Sequence, residues 1–312
     1  MKLNQSERKV LSLLEQDGRL PATRIAKKTR LSTEGVIKVI KRLSDRGVIQ
    51  KFNTKINYSR MGYRLYPVHI KLAKRNEEVI GKITEVIKKH FSCTWHIFCE
   101  GEYDLLLSFK ILEEKDKEDM EEMLGELSEY ILEKDISVVL YALEINKSFL
   151  PKKEPTVLMI FDFKAERIHL KTEEFKMISL LKKNSRETIL NLAKQLKVTP
   201  RVAMNNIKKL QKSGVISGFK TKVNMAALGY QPCTALMTIN KCSKKEYDLF
   251  ISYCKQTKGI HYFLRQLGKY DVVLTFDVES IRDFYELIDN LRDRFPFIRK
   301  ITTLVEKKPH IF

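Results

Sequence analysis

Two stretches of the chain set hydrogen-bonding side chains at helical spacing beside an apolar stripe. They are LSTEGVIKVIKRLSDRGVI, residues 31–49, and VTPRVAMNNIKKLQKSGVI, residues 198–216. On a wheel of about 100° per residue, Val36, Val39, Ile40 and Leu43 share one arc, and Glu34, Lys38, Lys41 and Arg42 lie opposite. In the second stretch Ala203, Ile207 and Leu210 oppose Arg201, Asn205, Lys208 and Lys209. Guanidinium and ammonium groups can donate to guanine O6 and N7, and an amide can bridge adenine N6 and N7. A helix anchored by one face and armed in this way on the other suits the major groove of DNA. Ser32, Thr33, Thr199 and Asn206 complete the candidate contacts on these helices. Lys51, Lys55, Lys220 and Lys222, just beyond, are placed to touch phosphates, which orient a protein without specifying sequence.

Other chemistry leaves little trace. Cys93, His96 and Cys99 are three loosely spaced ligands on one strand, too few for a closed zinc site, so neither metal nor cofactor is expected. No P-loop, dinucleotide fingerprint or nucleophile elbow is visible.

The elements that must position the two helices come as a repeat. At an offset of 167, residues 10–63 align with 177–230 without a gap, and roughly a third of the positions are identical. Leu14, Arg19, Phe52, Thr54, Gly47, Val48 and Ile49 are among the residues that meet their like. The spacing predicts helices over 6–16, about 22–28 and 33–45, with Asn4 and Glu7 as a capping pair and Gly47 and Gly214 as stops. Thr199 followed by Pro200 reads as an N-cap and first-turn proline. VIQKFNTKIN and VISGFKTKVN read as short hairpins, giving a winged helix-turn-helix in each copy.

Each copy continues with a second repeated part. Strands are expected at 66–72, 94–100, 104–111 and 136–143, with helices at 76–90 and about 117–132. The second copy predicts strands 233–240, 260–267, 270–277 and 298–305, with helices 243–257 and 279–294. The order βαββαβ is a ferredoxin-like α+β sandwich. One sheet face is covered by helices and the other requires a partner, for which the second copy is the obvious candidate. The expected division is 1–62 and 171–229 for the winged helices, 63–150 and 230–312 for the sandwiches, and 151–170 for a linker holding the strand-like PTVLMIFDF.

Composition agrees with a nucleic-acid partner. Lys and Arg number 58 against 39 acidic residues, a formal charge of +19, while residues 113–133 are acidic, so the basic excess lies elsewhere. No apolar run reaches the ~18 residues of a membrane span, and Glu7 and Arg8 stand where a signal peptide needs its apolar core. Five cysteines without a framework spacing fit free thiols, and the expected location is the cytoplasm.

These features together resemble the Lrp/AsnC feast/famine regulators in tandem. The carriers are Leu31-Ser32 with Val36, Ile40, Leu43 and Gly47-Val48-Ile49, then Val198, Thr199, Ala203, Ile207, Leu210 and Gly214-Val215-Ile216. Gly101-Glu102-Tyr103-Asp104 and Gly268-Lys269-Tyr270-Asp271 resemble the family's G-x-Y-D turn. The resemblance implies two winged helix-turn-helix domains alternating with two βαββαβ (RAM) domains, and transcriptional regulation through double-stranded DNA without enzymatic activity. It also implies an amino acid or related metabolite as effector, with Gly101, Tyr103, Asp104, Gly268, Tyr270 and Asp271 as its contacts. An intramolecular pseudo-dimer, open to further homo-oligomerisation, follows as well. The chain departs from the family at Val39, where many members carry Arg; Asn206 takes that place in the second copy. The unlike pairs Glu34/Arg201 and Lys38/Asn205 lead to the expectation of an asymmetric operator.

Two alternatives remain. Siroheme decarboxylases resemble this family in fold, and His261, Tyr262 and Arg265, with Trp95 and His96, stand in places comparable to their active cluster. The central-turn tyrosines are followed here by Asp rather than Asn. A non-specific architectural DNA coater is the other.

Overall fold

A computed structural model describes residues 2–145 and 157–307. The first unit opens with α1 (Gln5–Gln16), α2 (Ala22–Thr29), α3 (Thr33–Asp45) and β1 (Ile49–Ile56). It continues with β2 (Arg64–Leu72), α4 (Glu77–Lys89), β3 (Cys93–Gly101), β4 (Leu105–Ile111), α5 (Glu114–Glu126), β5 (Ile131–Ile136) and β6 (Val138–Ile145). A lone strand, β7 (Val157–Asp162), precedes the second unit. That unit runs α6 (Thr172–Lys183), α7 (Ile189–Leu196), α8 (Pro200–Lys212), β8 (Ile216–Val223), β9 (Gln231–Ile239), α9 (Lys244–Gln256), β10 (Ile260–Leu267), β11 (Val272–Val278), α10 (Ile281–Arg294) and β12 (Ile298–Glu306).

Local chemistry explains the helix ends. Asn4 and Glu7 cap α1 reciprocally, Ser32 Oγ accepts from Gly35 N at 3.0 Å, and Thr199 Oγ1 accepts from Val202 N at 3.3 Å. Gly47 and Gly214 follow α3 and α8 in the left-handed region, at φ 67° and 74°. Arg30 and Lys197 end α2 and α7 at φ 61° and 54°, equivalent positions where a side chain is uncommon.

Two readings from sequence are corrected. The segments that read as hairpins are single strands: β1 pairs antiparallel with β8, so one ribbon is shared between copies, with Phe52 opposite Thr221 and Thr54 opposite Phe219. The helix expected over 117–132 stops at Glu126, and residues 131–136 form β5 on β2. Cross-strand pairing there overrides the helical propensity of LSEYILE.

The sandwiches form one ten-stranded sheet, ordered β5-β2-β4-β3-β12-β9-β11-β10-β6-β7. Each unit keeps the 4-1-3-2 order of a βαββαβ fold, and the fourth strand of the second unit and the continuation of the fourth strand of the first pair with the other unit. Leu304–Glu306 of β12 pairs with β3, while β6, turning away from β5 at Ser137, pairs with β10. The strand-like linker segment becomes the edge strand β7, on β6; residues 151–156 of the expected linker lie outside the described residues.

Alternation along the strands sorts the core. Leu105, Leu107 and Phe109 face the layer of α4 and α5, whereas Leu106 joins Cys99, Tyr103, Leu236, Tyr270 and Leu304 between the two units. Residues on both faces of the central strands are thereby buried.

Candidate nucleic-acid interface

Each reading helix is seated by a buried carboxylate. Glu7, 2% exposed, accepts from Arg42 Nε at 2.9 Å and from Arg46 Nη1 at 2.7 Å, joining α1 to α3. In the second unit Glu174 pairs with Lys209 Nζ at 2.7 Å. Burial tends to raise the Glu174 pKa, but hydrogen bonds from Lys209 and the Lys171 backbone outweigh it and hold the group below its ordinary range. Arg42 and Lys209 are half-exposed yet tied inward, so they position the helices.

The outer faces remain open. Glu34, Lys38 and Lys41 on α3 are exposed, as are Arg201, Asn205 and Lys208 on α8. Ser32 and Thr199 are exposed at the N-termini, where their hydroxyls cap the helices; Thr33 and Asn206 are half-buried, and Val39 is buried in the core. Sequence reasoning missed apolar members of these faces: Ile37 is 54% exposed, and Val202 and Met204 are each 42% exposed. Ile37 and Met204 are equivalent by the repeat, and apolar groups there can meet a thymine methyl.

The ribbon lysines divide. Lys51 and Lys222 are exposed, with the Lys222 pKa lowered by desolvation and by nearby Lys51 and Lys55. Lys55 and Lys220 correct the expectation of phosphate contact. Lys55 is bound to Glu144 Oε2 at 2.7 Å, and Lys220 is only 3% exposed, its pKa lowered chiefly by burial. The ribbon packs against α1 and α6, through Thr221 to Leu14 O and Thr54 to Leu181 O, so one of its faces lies against protein.

The two helical domains grip each other reciprocally. Arg19 Nη1 donates to Ser185 O at 2.5 Å, and Arg186 Nη1 donates to Gly18 O at 2.7 Å. Arg19 lies over the Phe219 ring and Arg186 over Phe52, at 5.6 and 5.0 Å from the centroids. Thr54 Oγ1 donates to Leu181 O at 2.7 Å, and Thr221 Oγ1 to Leu14 O at 2.9 Å. Identity across the repeat at these positions was the signal; the role needed the fold.

The expected effector residues are absorbed into structure. Tyr103 and Tyr270 are each 1% exposed between the units, with hydroxyls 3.4 Å apart. Buried Asp104 accepts from Leu72 N at 3.0 Å and meets Arg75 and Lys71, each at 3.1 Å. Asp271 accepts from Ile239 N at 2.9 Å and pairs with Arg265 at 3.1 Å. A Cβ on Gly101 would lie 2.8 Å from Thr303 O, and one on Gly268 2.8 Å from Ser137 Cβ, so the glycines permit close approach of β12 and of the β5–β6 break, each in the other unit. These engagements give all six residues roles in the contact between the units or in the turns themselves.

The residues of the enzymatic alternative have internal partners as well. His261 lies 3.1 Å from both Thr275 Oγ1 and Asp277 Oδ2, and burial pushes the Tyr262 pKa up. Trp95 is exposed, whereas His96 is half-buried with its pKa lowered by desolvation. Among the described residues no group of three metal-binding side chains is gathered, and no helix is long and apolar enough to cross a membrane.

The charge is concentrated where the reading helices are. Residues 1–62 hold 15 Lys and Arg against 5 acidic residues, and residues 171–229 hold 13 against 3. Residues 63–150 hold 12 against 18.

Residues 3–50 and 174–217 match the family model for winged helix-turn-helix DNA-binding domains. An HTH-type transcriptional regulator of Pyrococcus furiosus is 37% identical over 122 residues, covering 38% of this chain and 78% of that protein. The chain belongs to the Lrp/AsnC family of such regulators. Another family relative, the regulator Ptr1 of Methanocaldococcus jannaschii, is 27% identical over 114 residues, covering 36% of this chain and 76% of its own length. Matches of this extent span one unit, so this family member is a tandem. The siroheme decarboxylase NirDL shares the fold across both units: TM-score 0.62, 12% identity, 97% of this chain and 91% of that one.

Proposed function

We propose that the protein is a transcriptional regulator that binds double-stranded DNA through α3 and α8, with units divided at 1–62, 63–150, 171–229 and 230–312. The observation that carries this reading is the pair of exposed polar faces, each on a capped helix seated by a buried carboxylate. Lys38, Lys41, Arg201, Asn205 and Lys208 face the bases or their phosphates; Lys51 and Lys222 supply backbone contacts; Ser32 and Thr199 lie at helix starts suited to phosphate. Ile37 and Met204 add apolar contacts that suit thymine.

The faces differ, so the operator is asymmetric. Glu34 suits a cytosine amino group, while its counterpart Arg201 suits guanine. Lys38 faces Asn205 in the same comparison, and Asn suits adenine. Selection from random DNA at fixed, near-physiological salt should enrich two unlike half-sites. Arg201→Ala should cost about 1–3 kcal/mol of binding and relax one half-site only. A palindromic minimal site would refute the asymmetry; absence of any preference, with a steep salt dependence, would favour a non-specific coater.

An effector is not assigned to the two G-x-Y-D turns, because their side chains are internally bonded. The regulator reading is favoured over catalysis by the internal partners of His261 and Arg265. A siroheme titration should leave the Soret band of the free ligand unshifted, and carbon dioxide release would overturn this choice.

A further inference from the structure

The contact between the two sandwiches keeps Gly101/Gly268 and Tyr103/Tyr270 alike but carries unlike charged residues at equivalent positions around them. Glu102 corresponds to Lys269, Glu133 to Lys300, Asp135 to Thr302 and His69 to Leu236, all at the offset of 167. Around the buried tyrosine pair these differences become contacts. Lys269 Nζ lies 3.0 Å from Asp135 Oδ2, 3.6 Å from Glu102 Oε1 and 2.7 Å from the Tyr103 hydroxyl. Tyr103 donates to Asp135, and Tyr270 donates to Glu102 Oε1 at 3.0 Å. Glu102 Oε2 also accepts from Thr302 at 3.2 Å and meets Lys300 Nζ at 3.5 Å.

We infer that this seam is a discriminating surface whose fitting partner is the opposite half, and that it rejects a like half. Two first halves placed in the same geometry would bring Glu102, Glu133 and Asp135 from each side together with no ammonium from these positions. Two second halves would bring both copies of Lys269 and Lys300 together with no carboxylate from these positions. Like charges at a contact are a device against wrong partners. Covalent linkage already gives the unlike half a high effective concentration. The seam acts where chains meet each other, since like-with-like pairing of first halves and of second halves would join two chains into one particle. It also guarantees that every ribbon joins one α3 to one α8.

The test uses two full-length variants and reads assembly rather than DNA binding. In the first, Lys269→Glu, Lys300→Glu and Thr302→Asp make both halves acidic at the seam. In the second, Glu102→Lys, Glu133→Lys and Asp135→Thr make both basic. Alone, each should unfold at a midpoint more than about 5 °C below the parent. Mixed or co-expressed, they should give a one-to-one two-chain particle by native mass spectrometry, with the midpoint recovered. Single-chain particles at the parent midpoint, two-chain particles formed equally by each variant alone, or aggregation of the mixture would overturn the inference. If the triple variants fail to fold alone, Glu102→Gln and Lys269→Gln supply the second measurement. Their double variant should lose less midpoint than the two losses added, and additivity would overturn the inference.

Discussion

The two halves of this chain meet twice, and the two meetings place their charged residues by opposite rules. Between the helical domains, equivalent positions carry the same residue and make the same contact: Arg19 and Arg186, Phe52 and Phe219, Thr54 and Thr221. Between the sandwiches, Glu102 meets Lys269 and Asp135 corresponds to Thr302. A duplicated chain thus keeps identity where a reciprocal contact works for both copies. It diverges where only one copy needs to carry each charge.

The comparison can be broken most severely at the two central glycines. Gly268→Ala should cost roughly 3 kcal/mol or more, because the new Cβ overlaps Ser137 while the residue sits at φ 159°. Gly101→Ala, 2.8 Å from Thr303 O, should behave alike in chemical denaturation. Retention of parental stability by both would mean that the units are not in contact there.

His69 sharpens the asymmetry through pH. It is 3% exposed, with its ring centroid 5.4 Å from that of Tyr103, and burial lowers its pKa from 6.5 to about 4. The unfolded chain therefore binds this proton near pH 6.5 while the folded one does not, so stability falls as pH drops from about 7 to 4. Roughly 3 kcal/mol is lost over that window. His69→Leu, which copies Leu236, should flatten the pH profile of stability by that amount, and an unchanged slope would contradict it.

At the helical interface the expected outcome is equality. Arg19→Ala and Arg186→Ala should each lose about 2 kcal/mol, matching within ~0.5 kcal/mol, since each removes a charge-assisted bond to a carbonyl and a ring contact. Losses differing severalfold in urea melts would show that the reciprocity is only geometric. The smallest effect belongs to Lys197→Gly: relieving a side chain at φ 54° should raise stability by about 0.5–1 kcal/mol. Arg30→Gly should give a similar gain.

Much of the fold was legible because its signals are local. Asn4 with Glu7, Ser32, Thr199 with Pro200, and the glycines after the third helices mark helix ends within a few residues. The heptad-like stripe of Val36, Val39 and Leu43 marks the buried side. The reading faces were legible for the same reason, except Ile37 and Met204, because an apolar residue carries no label that says outward. Arg42 and Lys209 looked like free cations because the carboxylates that hold them lie 35 positions upstream, on another helix.

By itself the sequence determined the repeat, the element order, the capped helices and the sign of the charge. Each of these depends on neighbours along the chain or on a count. Only the tertiary structure decided that β1 pairs with β8, that the chain passes at Ser137 from a strand on β2 to one on β10, that Lys220 is buried and that Glu102 faces Lys269. A strand exposes the same row of donors and acceptors to any partner. Which partner it takes is settled by packing among residues far apart in the chain, where hydrophobic spacing and capping are silent.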